Sequence, residues 1–110
     1  MKLPQPSQAV VDIRKLRDYC LNPRHPRGRH KARVFAAALG FTEQDAPRLQ
    51  QKLLEVTHSH EATRTYEDVY GILYRIDFEM EGKMGNARIR STWIVRRGEA
   101  FPRFVTCYVL

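Results

Sequence analysis

Cysteine is scarce in this chain of 110 residues, with only Cys20 and Cys107 present. Two cysteines this far apart form neither a metal-ligand spacing nor a disulfide framework. We therefore expect two reduced thiols, packed inside a cytoplasmic protein. The start of the chain leads into a polar, proline-containing stretch, so no secretory signal peptide is expected. No apolar run approaches the length of a membrane-spanning helix, so no membrane association is expected either.

Acidic residues are missing from one long stretch of the chain, between Asp18 and Glu43. The same stretch carries five cations and two histidines, namely Arg24, His25, Arg27, Arg29, His30, Lys31 and Arg33. The whole chain has 19 Lys+Arg against 12 Asp+Glu, a formal net charge of +7 at pH 7. Such an excess favours polyanions, RNA above all, through phosphate neutralisation and counterion release.

A second run of basic residues lies in the last third of the chain. Glu99 is the only acidic residue that interrupts it. It consists of Lys83, Arg88, Arg90, Arg96, Arg97 and Arg103. Two separate basic segments in one domain are typical of a bipartite phosphate-binding surface. The alternative is that each segment is simply an exposed, solvated loop or strand face.

Several motifs of well-known chemistry are also missing. No glycine-rich phosphate loop of the Walker type is present, so nucleotide binding is not indicated. Ser91 and Cys107 lie in strand-like contexts without a nucleophile elbow or a paired histidine. His58 and His60 have a spacing that could suit a metal, but no carboxylate or cysteine cluster supports it. We therefore expect no metal and no cofactor.

Hydrophobic periodicity predicts three helices in the first part of the chain. Their predicted ranges are about 8–21, from residue 29 or 30 to 39, and about 43–57. Asn22-Pro23 ends the first, Gly40 supplies a left-handed end for the second, and Thr42 with Asp45 resembles a capping box before the third.

From residue 72 onward the period changes to two, which indicates strands. The predicted strands cover 72–81, 87–95 and 104–109, with a hairpin turn at 81–86 and a weak extra strand within 62–68. Helices that precede an antiparallel sheet indicate an α+β fold. We predict one domain over 1–110, with an irregular lead at 1–6. In it, three N-terminal helices pack on one face of a three- to four-stranded antiparallel sheet.

The last strand offers two faces, one with Phe104, Thr106 and Tyr108 and the other with Val105, Cys107 and Val109. If the second face packs toward the helices, Phe104, Thr106 and Tyr108 lie on an open face. They then lie beside Arg90 and Thr92, which suits phosphate contact and base stacking. A shift of one residue in register reverses this arrangement, so the sequence leaves both faces open as candidates.

Two strings of the sequence resemble a small uncharacterised bacterial domain family, found free-standing and at the C-terminal tips of polymorphic toxins. The strings are Leu21-Asn22-Pro23-x-His25-Pro26-x-Gly28-x-x-Lys31-Ala32-x-x-Phe35, followed by Leu39-Gly40-Phe41, and then Thr92-Trp93-Ile94-Val95 with Pro102-Arg103-Phe104-Val105-Thr106. The layout also resembles the barnase–EndoU–colicin–RelE group of ribonucleases. The resemblance implies a metal-independent endoribonuclease acting as a toxin, with a cognate antitoxin or immunity protein as a second partner. Its motif residues here are His25, Lys31, Trp93, Arg103 and Thr106.

Metal-independent RNA cleavage needs proton transfer and a cation near the phosphate. The candidate catalytic residues are His25 and His30 for protons, Lys31 and Arg103 for phosphate charge, and Thr106 for positioning. The candidate RNA-binding residues are Arg24, Arg27, Arg29, Arg33, Arg88, Arg90, Thr92 and Tyr108. Trp93 fits the core better than catalysis.

Two other functions fit the same sequence. The first is a nucleic-acid-binding module without catalysis, and the second is an interaction protein that binds an acidic protein. The sequence does not indicate an oligomeric state.

Overall fold

The chain runs from helical segments into a sheet, and the computed structural model describes all of residues 1–110. The helices are α1 (Ile13–Lys15), α2 (Arg29–Leu39) and α3 (Ala46–Ser59). Helix α1 continues directly into a π-helical turn, Leu16–Cys20. The strands are β1 (Thr63–Glu67), β2 (Gly71–Gly82), β3 (Gly85–Arg96) and β4 (Pro102–Val109).

The broad α+β class is confirmed, but the predicted architecture, three N-terminal helices before a three- to four-stranded sheet, was wrong in its helical half. The helical segments are not all N-terminal, since α3 ends only at Ser59, beyond the middle of the chain. The first predicted helix, over 8–21, is reduced to α1 and the π-helical turn. Its first residues are extended because Val10 pairs with β4 in a parallel bridge and bonds to Pro102 and Phe104. The helix can therefore start only after Asp12, whose side chain caps it.

The four strands form one antiparallel sheet in the order β1-β2-β3-β4. Strands β2 and β3 make a long hairpin in unbroken register from Gly71 opposite Arg96 to Gly82 opposite Gly85. The weak strand predicted within 62–68 is confirmed as β1, a fully exposed edge strand. The predicted end of helix α2 is also confirmed, since Gly40 follows it with a left-handed φ of 72° that favours glycine.

One face of the sheet packs against the helices and forms the core. Its largest fully buried side chain is Trp93, which contacts Phe104 edge-on at a ring distance of 5.6 Å. The indole Nε1 of Trp93 donates to Ser91 Oγ over 2.9 Å, and Ser91 donates in turn to the carbonyl of Ile76 over 2.8 Å. The polar atoms of this buried layer are thus satisfied, as burial requires.

A β-bulge in β4 decides which side chains of that strand face outward. Thr92 pairs with Thr106 but Trp93 pairs with Phe104, so Val105 is an extra residue without a partner. The bulge reverses the alternation of faces at this point. Phe104 and Cys107 are therefore both buried, whereas Thr106 and Tyr108 are half-buried. The buried side of β4 therefore takes Phe104 from one predicted face and Cys107 from the other, because the bulge lies between them.

Candidate functional site: a lysine between helix α2 and strand β4

The side chain of Lys31 bridges helix α2 and strand β4. Its Nζ donates to Thr106 Oγ1 over 3.0 Å and lies over the Tyr19 ring, 5.0 Å from its centroid, and 5.9 Å from that of Tyr108. The residue is half-buried and takes part in none of the ion pairs of the molecule. An ammonium held by a hydroxyl and two π-faces, without a carboxylate, retains positive charge for an incoming anion.

Thr106 connects this lysine to a buried pair of thiols. Its hydroxyl lies 3.7 Å from the sulfur of Cys20, and Cys20 in turn contacts Cys107. Since the Thr106 oxygen accepts from Lys31, its hydroxyl proton is free to be donated to the Cys20 sulfur when that sulfur is a thiolate. Hydrogen bonding from Cys107, then from Thr106, and the charge of Lys31 lower the pKa of Cys20. Burial raises the pKa of Cys107 well above its usual value, so Cys20 ionises first.

We expect Cys20 to be the thiolate of the pair near neutral pH. The ultraviolet absorbance of a thiolate should be present at pH 7 and should be lost as the pH falls through the lowered pKa of Cys20. Cys20→Ser should abolish this absorbance. Cys107→Ser should keep it, because a serine hydroxyl can still donate to the Cys20 sulfur. Absorbance that arises in the wild type only within or above the ordinary thiol range would contradict the assignment.

His25 contacts the same tyrosine as Lys31, Tyr19, and is fixed by the loop that precedes α2. Its Nδ1 accepts hydrogen bonds from the backbone amides of Arg27 and Gly28, both over 3.0 Å. The neutral ring therefore carries its proton on Nε2, which makes this nitrogen a donor. The His25 ring also contacts Tyr19 edge-on, at a ring distance of 4.8 Å. The loop approaches so closely that a Cβ on Gly28 would lie 2.2 Å from the carbonyl oxygen of Tyr19, so only glycine fits there.

His30 lies on the exposed side of the first turn of α2. No hydrogen bond or ion pair engages its ring, unlike that of His25. It borders a shallow recess of about 380 Å³ between α2 and β4, which is also lined by Lys31, Val34, Tyr108 and Val109. His30 is therefore the histidine of this region with both ring nitrogens free.

Most arginines of the second basic run are neutralised by acids that the fold brings opposite them. Arg90 makes two hydrogen bonds of 3.0 Å to Asp77 across the β2–β3 hairpin, and Arg88 pairs with Glu79 at 3.4 Å. Arg103 makes two hydrogen bonds of 2.9 Å to Glu99, and no hydrogen bond joins it to Lys31 or Thr106. The acids Asp77 and Glu79 are distant from these arginines in sequence, so only the hairpin register reveals the pairing.

The cations of the first basic segment remain largely free. Arg24 pairs with Glu43 at 3.2 Å, but Arg27, Arg29 and Arg33 are exposed and have no acidic partner. Arg29 and Arg33 lie one turn apart on α2, on the flank away from β4, while Lys31 lies on the flank toward β4. The positive charge available to a ligand is thus concentrated around the first half of α2.

The structure brings some candidate residues together and leaves others apart. Lys31, Thr106 and Tyr108 are in contact, Thr92 pairs with Thr106, and the Tyr108 hydroxyl lies beside Arg90. Tyr19, Cys20 and Cys107 belong to the same site but were not among the residues predicted from the sequence. Their only sequence signal was the position of Tyr19 and Cys20 just before the basic loop.

No group of three or more histidine, cysteine, aspartate or glutamate side chains is placed to hold a metal ion. Among the helices, none combines the length and the apolar character that crossing a membrane requires.

The fold and this site define a small α+β domain with a cationic groove at the junction of a helix and an edge strand. The chain belongs to the family described as a domain of unknown function, DUF6883, which matches residues 2–110. A solved structure titled "Contact-dependent growth inhibition toxin - immunity protein complex from Klebsiella pneumoniae 342" contains a chain of similar fold. The TM-score is 0.70 at 20% identity, over 92% of this chain and 99% of that chain. No curated protein matches the sequence.

Proposed function

We propose that this domain is an RNA-directed toxin that cleaves RNA without a metal ion. The observation that carries the proposal is the Lys31 ammonium, half-buried between Tyr19 and Tyr108 and without an acidic partner. The toxin assignment is supported by the fold shared with a chain of a toxin–immunity complex. The net charge of +7 favours a polyanionic substrate.

The arrangement suits transesterification at a phosphodiester. The 2′-hydroxyl of the ribose attacks phosphorus and passes its proton to the free ring of His30. Lys31 hydrogen-bonds a non-bridging oxygen and stabilises the additional negative charge of the transition state. His25 donates from Nε2 to the phosphate, and the 5′-oxygen leaves with a proton from solvent. The products are a 2′,3′-cyclic phosphate and a 5′-hydroxyl.

The unpaired arginines should govern the salt dependence of RNA binding. Each phosphate contact on a single strand contributes about 0.7 to the slope of log K against log salt concentration. Arg29→Gln with Arg33→Gln should therefore lower the slope by about 1.4. Binding of a non-cleavable 2′-O-methyl RNA, measured by fluorescence anisotropy over a salt series, checks this.

A matched control removes the same charge elsewhere. Arg64 and Arg97 both pair with Glu67, beside the β1–β2 turn. Arg64→Gln with Arg97→Gln should leave the slope unchanged. Equal losses of slope in both double variants would show that the chain binds RNA through net charge alone, without the surface at α2.

An acidic protein partner is a second candidate for the same surface. The shared fold with a chain of a toxin–immunity complex favours it, because an immunity protein for a basic toxin is expected to carry complementary charge. Such a partner would cover α2 and compete with RNA for this surface. It would therefore inhibit the proposed cleavage, and both functions can hold for one domain.

A further inference from the structure

The recess between α2 and β4 has a lining that the phosphate chemistry of Lys31 does not explain. Val34 forms one wall and is 45% exposed, although it lies in the middle of a helix beside charged residues. Tyr108 and Val109 of β4 line the opposite side. Lys31 and His30 stand at its rim. An apolar recess with a cation at its edge is suited to a flat aromatic ligand that carries a phosphate.

The size of this recess also fits such a ligand. Its volume of about 380 Å³ lies near the lower end of the roughly 300–1,000 Å³ that is typical of small-ligand sites. The Tyr108 hydroxyl lies beside Arg90, and Arg90 is held by two hydrogen bonds to Asp77. An aromatic ring offers a stacking surface at little cost in conformational entropy.

We infer that this recess is a nucleobase subsite, in which an unpaired base packs between Tyr108 and Val34 while its phosphate contacts Lys31. This inference rests on the proposed function, since it assumes that RNA is the ligand. It adds a substrate class, because a base can enter the recess only when it is unpaired and unstacked. Loops and single strands are then substrates, and continuous duplexes are not.

The probe is a short 2′-O-methyl oligoribonucleotide that carries 2-aminopurine at one position and cannot be cleaved. On binding to the wild-type protein, its fluorescence should change at the position that enters the recess, because stacking alters the emission of the base. An abasic residue at that position should weaken binding by roughly 5- to 150-fold, as expected for the loss of one stacked base. The same oligonucleotide in a duplex should show neither effect.

A pair of variants separates the subsite from general electrostatics. Val34→Glu places a carboxylate in the recess, whereas Val69→Glu makes the same change at a valine that is 74% exposed in the β1–β2 turn. We expect Val34→Glu to weaken binding of the intact oligonucleotide and to lose most of the discrimination against the abasic one. Val69→Glu should retain the wild-type discrimination. Circular dichroism and a thermal melt confirm that both variants fold, and the wild-type fluorescence test needs no variant.

The outcomes distinguish failure of the subsite from failure of the proposed function. Tight binding by the wild type with no fluorescence change at any position and no abasic effect would overturn the subsite and leave RNA binding intact. Equal effects of Val34→Glu and Val69→Glu on discrimination would also overturn it. If the wild type neither binds the oligonucleotide nor cleaves RNA, the proposed function itself fails and the subsite fails with it.

Discussion

Lys31→Met is expected to lower the rate of RNA cleavage by about 10²–10³-fold, the usual cost of losing one charge-stabilising donor in an active site. The physical reason is that Lys31 is the half-buried cation placed against Thr106 and two aromatic rings, with no acid to compete for it. Methionine keeps an unbranched side chain against the tyrosines. The fold should therefore survive, as checked by circular dichroism, while single-turnover cleavage is lost.

Binding should respond much less than cleavage to this change. Lys31 is one of several unpaired cations near α2, so the affinity for a non-cleavable RNA should fall by less than about tenfold. Lys83→Met is the matched control, since Lys83 is exposed in the β2–β3 turn and makes no ion pair. It should cleave at the wild-type rate. Equal cleavage by Lys31→Met and the wild type would remove Lys31 from the reaction.

Trp93→Ala is expected to lower the free energy of unfolding by about 3–5 kcal/mol, the typical cost of truncating a buried tryptophan. Trp93 is fully buried, packs on Phe104 and donates to Ser91. Because small domains have only about 5–15 kcal/mol of stability, the loss would leave a substantial unfolded population. Urea denaturation monitored by circular dichroism measures the loss in free energy of unfolding.

The control for this prediction is an aromatic residue that contributes nothing to the core. Tyr70 is 72% exposed in the β1–β2 turn, so Tyr70→Ala should change the free energy of unfolding by no more than about 0.5 kcal/mol. If Trp93→Ala were as mild as Tyr70→Ala, the buried layer described around Trp93 would be incorrect.

The parts of the fold that were predictable from sequence are those with local signals. Alternation along β2 and β3, the left-handed glycine after α2 and the capping box at Thr42 each depend on neighbouring residues, and each is confirmed. The first helix was mispredicted because its apolar spacing is helical, whereas the bridge from Val10 to Arg103 is a long-range contact. Tertiary pairing overrides local periodicity in such cases.

The candidate site shows the same division. Lys31 and Thr106 could be singled out by residue type, but their contact depends on the bulge at Val105. No local sequence pattern in β4 predicts this bulge. The cysteines were predicted to be reduced and packed, and they are free and buried. The contact between Cys20 and Cys107 could not be predicted, because the two residues are far apart in the sequence and meet only in the folded chain. The ion pairs that neutralise Arg88 and Arg90 likewise follow from strand register.

The measurement that tests the central claim most directly is the identity of the RNA ends that the purified protein leaves in the presence of a metal chelator. Attack by the 2′-hydroxyl predicts discrete cleavage in the chelator, with 2′,3′-cyclic phosphate and 5′-hydroxyl ends, by the wild type and Lys83→Met but not by Lys31→Met. Cleavage that requires a divalent metal, ends with a 5′-phosphate, or an RNA left intact by the folded protein would contradict the account.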